Sequence, residues 1–141
     1  GAHVFSYFIA LTRVSHQLIE AIEKSGFEPW VVLTLIILLY LLLGMFIDAI
    51  GTMLLTLPIV YPLIVSIGYD PIWFGILLVL LLEIGLITPP VGISLFVTSQ
   101  STGIPVQRVL LGTIPFLLVL LLMVLILVLV PQIATLLPNT M

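Results

Sequence analysis

The residues best suited to chemistry lie where apolar segments of the chain are interrupted. Between Ile72 and Val97 the sequence is almost entirely apolar, but Thr88, Pro89 and Pro90 interrupt it. Proline lacks a backbone N–H and disfavours helical geometry in the residue before it, so a helix must break here. A continuous helix of this length would cross a membrane, and hydrocarbon cannot satisfy the polar groups that a break exposes. The pattern therefore predicts a polar site enclosed by protein.

Oxygen atoms at this break are suited to a hard monovalent cation such as Na⁺. Thr88 contributes a hydroxyl group, and the carbonyls of residues 85–87 are predicted to be free because the two prolines cannot donate to them. Gly85 and Gly92 loosen the helix on either side. The end of the first half-helix also carries partial negative charge, which favours a cation. The alternative is an ordinary proline kink in a packed helix.

Further polar residues flank the break. Ser94 and Thr98 lie one helical turn apart on the same face and could line the same cavity. The polar run 99–102 is more typical of a helix end that reaches water. Glu83 lies within the apolar segment before the break, where it could relay protons or pair with a buried donor, or could join two helices by hydrogen bonds. The residues leave these roles of Glu83 equally open.

A second interruption separates two apolar segments, residues 30–47 and 53–67. It contains Asp48, Gly51 and Thr52. A carboxylate at membrane depth must be paired, hydrated or neutralised, so Asp48 is either a cation ligand, helped by Thr52 and carbonyls near Gly51, or a solvated residue in an aqueous turn. The second segment would be roughly 22 Å long as a helix, which is short for a full span. A re-entrant helical hairpin is favoured over two complete spans.

Composition indicates an integral membrane protein, and the apolar runs read as helices, so the predicted fold class is all-α integral membrane. Of its 141 residues, 62% are hydrophobic and 6% are charged, whereas a soluble domain carries about 25% charged residues. Lys and Arg together number 3, which argues against nucleic-acid binding. There are no cysteines for a disulfide or a thiolate metal site, and the sequence contains no hydrolase or zinc-protease motif. An enzymatic function is not expected, and neither is a bound cofactor.

The remaining segments position these interruptions, and no linker divides the chain. Residues 12–28 form the one sustained polar segment, and their helical spacing of apolar residues predicts an amphipathic helix at the membrane surface, with Ser15 as N-cap and Gly26 as its end. The apolar stretch before it is expected to be a helix cut by the start of the chain. The other predicted parts are a turn at 68–71, a broken helix at 71–98, a polar connection at 99–113, a final span at 114–131 and a polar-tipped tail at 131–141.

Three aromatic residues fall near predicted helix ends. Trp30, Tyr69 and Trp73 lie where the aromatic belts of membrane proteins are found, and we expect them to be interface anchors.

Several motifs together resemble the large membrane subunit of tripartite ATP-independent periplasmic (TRAP) transporters. The likeness covers nearly the whole chain and corresponds to the C-terminal third of such a subunit. The most specific motif is Glu-Ile-Gly-Leu-Ile-Thr-Pro-Pro-Val-Gly at 83–92. The other matching stretches are Gly44–Asp48, Leu57–Pro62, Gly68–Gly75 and Leu136–Pro138.

The resemblance implies Na⁺-coupled uptake of an organic acid of the C4-dicarboxylate or sialic-acid type across a bacterial or archaeal cytoplasmic (inner) membrane. Na⁺ would be the coupling ion, and no other cofactor is implied. The implied partners are a periplasmic solute-binding protein, a small membrane subunit and membrane lipid. The family is thought to work as an elevator with two inverted repeats. This chain would be most of the second repeat, with an arm at 1–28, a hairpin at 29–67, a broken helix at 71–98 and a last span at 114–131.

By position, the resemblance implies a set of site residues. Asp48 and Thr52 fall at the hairpin tip, and Thr88 falls at the helix break, which makes these three the Na⁺ candidates. The resemblance places part of the substrate pocket at the break, with Pro89, Pro90 and Gly92. Residues 12–28 would then lie in the periplasm, against the weak preference of the few basic residues. The resemblance implies that the first repeat, and with it a second cation site, is expected outside these residues.

Two other functions are compatible with the residues. One is a small helical membrane protein that acts only by packing against a partner, for which Gly44, Ala49 and Gly51 offer a small-residue interface. The other is a related ion transporter that has broken helices but no binding protein.

Overall fold

Every regular element in residues 1–140, the part of the chain that the structure describes apart from the side chain of Leu137, is a helix. This computed structural model confirms the all-α prediction. The helices are α1 (Ala2–Thr12), α2 (Val14–Ser25), α3 (Pro29–Gly44), α4 (Ala49–Ser66), α5 (Pro71–Leu86), α6 (Ile93–Thr102), α7 (Val106–Leu129) and α8 (Gln132–Thr140).

Among the helices of residues 1–140, two are long and apolar enough to cross a membrane by themselves. These are α4, with 18 residues, and α7, with 24 residues. Helix α3 has 16 residues, so the second arm of the predicted hairpin is the longer one, contrary to expectation. The reason is that α4 begins directly after Asp48 and continues through Pro58 and Pro62. Length therefore no longer favours a re-entrant hairpin over two spans, and the hairpin stays a prediction.

Helix α5 lies at the centre of the core and contacts α3, α4, α6, α7 and α8. Trp73, Phe74, Leu77 and Leu81 are buried along it. The fully buried Tyr40 of α3 packs beside Phe74, with ring centroids 6.3 Å apart. Helix α7, in contrast, buries little of its apolar surface, so this surface is available to lipid or to other protein.

Prolines inside helices or just after a helix end leave carbonyls without a backbone donor, and two of these carbonyls receive a side-chain donor from a distant helix. Pro62 has no N–H for the carbonyl of Pro58 one turn earlier. The Ser15 hydroxyl, on α2, donates to that carbonyl at 2.9 Å. Ser15 is therefore not the N-cap predicted from the sequence. Its role is to join α2 to the middle of α4.

The same arrangement occurs at the end of α7. Pro131 cannot donate to the carbonyl of Leu127, and the indole Nε1 of Trp73 donates to it at 2.8 Å. Trp73 is 1% exposed, so the prediction that it anchors the membrane interface is wrong. Tyr69 stacks on it, with ring centroids 5.0 Å apart, whereas Trp30 is exposed, as expected of an anchor.

The predicted amphipathic helix is present, but it starts at a different residue from the one predicted. Helix α2 follows Arg13, which takes a left-handed backbone conformation with φ 52° and forms the elbow with α1. Gly26 ends the helix with φ 70°, as predicted.

The predicted polar connection at 99–113 is mostly helical. Helix α6 continues to Thr102, and the hydroxyls of Thr98, Ser101 and Thr102 donate to carbonyls of their own helix. Helix α7 begins at Val106, eight residues before the predicted span, directly after Pro105. The predicted tail forms α8, which contacts α5 and α7. The last residue of that tail lies outside the described residues.

Candidate functional site

The two interrupted segments meet where α3 and α5 end. A β-carbon added to Gly85 would lie 2.6 Å from Cα of Gly44, and one added to Gly44 would lie 3.1 Å from Cα of Gly85. Only two glycines allow backbones to approach this closely. The contact places the carbonyl ends of both helices side by side, directly before the two interruptions. Gly44 is thus used inside the chain and is not free for the partner interface that the packing-protein alternative requires.

The break in the second segment runs from Ile87 to Gly92. Helix α5 ends at Leu86, and the Pro89–Pro90 peptide bond is cis. Gly92 is buried with φ 46°, and it precedes the first residue of α6. A β-carbon at Gly92 would lie 2.9 Å from Cδ1 of Leu95, so both the backbone conformation and the space require glycine. The predicted interruption of a helix by Thr-Pro-Pro is therefore present.

Hydrogen bonds at the break differ in part from the prediction. The carbonyl of Gly85 accepts from the N–H of Thr88 at 3.2 Å, so it is not free. The Thr88 hydroxyl donates to the carbonyl of Ile84 one turn earlier. A hydroxyl that donates its proton keeps lone pairs that can face a cation. Thr88 is half-buried, while Pro89 and Pro90 are exposed.

Asp48 caps helix α4. Its Oδ2 accepts from the N–H of Gly51 at 3.0 Å, and the residue is exposed. A β-carbon at Gly51 would lie 2.7 Å from Oδ1 of Asp48, so glycine lets the carboxylate fold over the helix end. Capping uses one oxygen of the carboxylate, and the other remains available for a ligand.

Thr52 is the most unusual polar group of the site. It is fully buried, and its Oγ1 is the one buried side-chain oxygen in the described residues with no hydrogen-bond partner. The Thr52 carbonyl accepts from the Thr56 hydroxyl at 2.7 Å, and the Tyr40 hydroxyl lies 2.6 Å from the same Thr56 oxygen. Since Thr56 has only one proton to donate, Tyr40 must be the donor in the second bond. The Thr52 hydroxyl takes no part in these hydrogen bonds.

Glu83 and Ser94 lie on either side of the break. Glu83 is exposed on α5 and lines a cavity of about 550 Å³ between α5 and α7, together with Ile87, Thr113 and Phe116. This cavity is largely apolar. It favours neither a proton relay nor a hydrogen-bonding role for Glu83, so both predictions stay open. Ser94 is half-buried in the first turn of α6 and accepts through its carbonyl from Thr98.

The chemistry of this arrangement is that of oxygen ligands and helix ends. Two helix C-termini meet at the glycine contact, and their partial negative charges favour a cation. Hydroxyl and carbonyl oxygens suit a hard ion such as Na⁺. Within residues 1–140 there is no group of three His, Cys, Asp or Glu side chains that could hold a metal ion. The first turn of α6, in contrast, presents amide donors suited to an anion.

Sequence reasoning missed three contributors to the site. The pairing of Gly44 with Gly85 and the role of Tyr40 depend on tertiary contacts that local patterns do not contain. Thr56 could have been found, because Thr52 and Thr56 are one helical turn apart and share a face.

Comparison with known proteins decides the family. The family model described as "Tripartite ATP-independent periplasmic transporter, DctM component" matches residues 1–133. The chain belongs to the DctM family of TRAP transporters. The family resemblance drawn from the motif at 83–92 is therefore confirmed.

Curated members of the DctM family are similar along nearly all of the chain. The large permease protein DctM of a C4-dicarboxylate TRAP transporter from Pseudomonas aeruginosa is 34% identical over 99% of the chain. The large permease protein SiaM of a sialic acid TRAP transporter from Vibrio cholerae is 35% identical over 99%. The permease protein DctMQ of an isethionate TRAP transporter from Oleidesulfovibrio alaskensis is 30% identical over 94%. These alignments cover 33%, 33% and 21% of the relatives, so the chain spans about a third or less of their length.

Proposed function

We propose that this chain forms half of the ion- and substrate-binding region of a Na⁺-coupled permease that imports an organic acid. The permease would lie in a bacterial or archaeal cytoplasmic membrane as a multi-pass protein, with a periplasmic binding protein and a small membrane subunit as partners. Helices α1 and α2 would form the arm, α3 and α4 the hairpin, α5 and α6 the broken helix, and α7 the last span of one repeat in an elevator.

The observation that carries the cation part of this proposal is the buried, unpartnered hydroxyl of Thr52. An unsatisfied buried hydroxyl costs free energy unless a ligand completes its coordination. Thr52 lies in the first turn of α4, after the short connection from the α3 end that packs on Gly85. Thr88 and Asp48 would add further oxygens from the two interruptions. A monovalent cation is the ligand that this set of oxygens suits.

The substrate part of the proposal rests on α6. This helix begins at the break, so it presents its N-terminal end there, with partial positive charge. The N–H groups of residues 93 and 94 precede the first backbone bonds of this helix, which run from Leu95 and Phe96 to Gly92. They can therefore donate to a carboxylate, and the hydroxyl of Ser94 can join them. The substrates in the names of the relatives, which are C4-dicarboxylates, sialic acid and isethionate, are all small organic anions.

The experiment is substrate uptake by the intact permease in proteoliposomes, with its binding protein and small subunit, driven by a Na⁺ or a K⁺ gradient. We expect uptake only with Na⁺. Thr88→Val should raise the half-saturating Na⁺ concentration about tenfold, which corresponds to the loss of one ligand worth about 1.4 kcal/mol. Thr34→Val is the matched control, because the exposed Thr34 hydroxyl bonds only its own helix, at the carbonyl of Trp30. If Thr88→Val and Thr34→Val had the same half-saturating Na⁺ concentration, the proposed cation site would be contradicted.

A further inference from the structure

Two cavities lie side by side between helices α1, α2 and α4, and they differ in chemistry. The first, of about 260 Å³, is lined by Ile9, Ala10, Arg13, His16 and Pro58, among others. The second, of about 340 Å³, is lined by Ser6 of α1 and otherwise by residues of α4, which are Met53, Leu54, Leu57, Pro58 and Tyr61. Pro58 lines both cavities, so they adjoin at this residue, and we refer to the two together as the groove, with a charged end and an apolar end.

The charged end is built for an anion. Arg13 and His16 line it, and no Asp or Glu does. In the described part of the chain, no ion pair or side-chain hydrogen bond occupies the Arg13 guanidinium. Arg13 stands at the elbow before α2, so the free amide groups of the first turn of α2 lie next to it. Ser15 also lines this cavity, but its proton is donated to the Pro58 carbonyl.

The elbow is also the point where the exposed surface changes from apolar to polar. Helix α1 exposes one apolar stripe, formed by Val4, Tyr7, Phe8 and Leu11. Helix α2, beginning at Val14, carries polar and charged side chains between its apolar positions. An apolar exposed helix followed by an amphipathic one places Arg13 at the boundary between hydrocarbon and headgroups.

We propose that this groove binds one anionic membrane phospholipid, with its phosphate at Arg13 and His16 and an acyl chain along Met53, Leu54 and Leu57. A guanidinium group pairs well with phosphate oxygens, and basic pockets at membrane surfaces bind anionic headgroups. An anionic lipid is favoured over a zwitterionic one because the charged end offers no carboxylate for an ammonium group. The apolar end distinguishes a lipid from free phosphate, which would leave it empty.

The lipid would act on the contact between the arm and the proline-containing part of α4. The groove runs past Pro58, whose carbonyl holds α2 through Ser15. A lipid in the groove would therefore hold α1, α2 and α4 together, and its binding should stabilise the folded permease in proportion to its affinity.

The test is thermal unfolding of the delipidated intact permease in detergent, titrated with phosphatidylglycerol, phosphatidylcholine or inorganic phosphate. We expect phosphatidylglycerol to raise the unfolding temperature, and the other two to have little effect. Arg13→Asn should raise the half-saturating lipid concentration about tenfold, since a charged contact is lost. Asparagine tolerates the left-handed backbone at this position, so this variant should fold. Arg13→Lys should retain most of the lipid effect.

Two matched variants complete the test. Arg108→Gln removes an exposed arginine at the start of α7 and should leave the phosphatidylglycerol effect unchanged. Leu57→Trp should fill the apolar end and weaken lipid binding while Arg13 is intact. An unchanged lipid effect in Arg13→Asn or in Leu57→Trp would overturn the proposal. A full effect of inorganic phosphate would also overturn it, because the site would then bind a free anion. The measurement needs no transport, so its result is independent of the proposed Na⁺ site.

Discussion

The replacement Thr52→Val tests the cation site because it should stabilise the protein in the absence of Na⁺ and reduce the stabilisation that Na⁺ provides. Valine keeps the shape of threonine and removes the hydroxyl. Because that hydroxyl is fully buried without a partner, it costs about 1–3 kcal/mol in the empty protein. We therefore expect Thr52→Val to be more stable than the wild type in Na⁺-free medium by up to this amount.

Adding Na⁺ should reduce this difference in stability between Thr52→Val and the wild type. At a Na⁺ concentration of 100 times the dissociation constant, binding stabilises the wild type by about 2.7 kcal/mol. If the loss of one ligand weakens binding tenfold, the same concentration stabilises the variant by only about 1.4 kcal/mol. The advantage of the variant should therefore shrink by about 1.3 kcal/mol as Na⁺ is added.

The assay is denaturant or thermal unfolding of the intact permease in K⁺ and in Na⁺ at equal ionic strength, combined with Na⁺-dependent uptake. Thr52→Ser keeps the hydroxyl and should retain most of the Na⁺ effect, while Thr34→Val controls for a generic threonine replacement. Equal Na⁺ stabilisation of wild type and Thr52→Val would refute the assignment of Thr52 as a ligand. Destabilisation of Thr52→Val in Na⁺-free medium would refute the view that its hydroxyl lacks a partner.

Three further positions, two of them with a matched control, test the packing and capping around the site, and the stability changes are measured by unfolding of the intact permease. Gly85→Ala should cost about 1–3 kcal/mol through overpacking against α3, whereas Gly75→Ala in the same helix, with open space around it, should stabilise by up to about 1 kcal/mol; equal effects would contradict the close helix contact. Trp73→Phe should lose about 1–3 kcal/mol by leaving a buried carbonyl unpaired, while Trp30→Phe on the exposed surface should be nearly neutral. Asp48→Asn should keep the cap of α4 but weaken Na⁺ dependence, whereas Asp48→Ala should lose about 1 kcal/mol as well; unchanged Na⁺ dependence in both would leave Asp48 as a cap alone.

The positions of both interruptions could be predicted from the sequence because their causes are local. Proline removes a donor wherever it stands, and Gly92 supplies a backbone conformation that other residues avoid. The extent of α6 was underestimated for a reason that is also local. Serine and threonine indicate loops in general, but Thr98 and Thr102 keep their hydroxyls bonded to carbonyls of their own helix.

The contacts that assemble the candidate site could not be predicted, because they join residues far apart in the chain. Gly44 and Gly85 each look like an ordinary helix glycine, and only their mutual approach explains them. The sequence marked Thr52 as a ligand candidate, but its burial and its missing partner follow from the packing of α4 in the core. The same holds for Trp73, whose position at a helix end predicted an interface anchor and whose indole is used inside the core.

The hydrogen bonds from Ser15 to the Pro58 carbonyl and from Trp73 to the Leu127 carbonyl have a consequence for how the chain enters the membrane. A single helix inserted alone would carry a carbonyl with no donor into hydrocarbon, where an unsatisfied group costs several kcal/mol. Docking of α2 therefore satisfies one such carbonyl of α4, and contact with α5 satisfies one at the end of α7. Insertion and assembly of these helices are coupled events. Replacing Pro62 with alanine would supply an N–H for the Pro58 carbonyl, so this carbonyl would no longer depend on α2 for a donor.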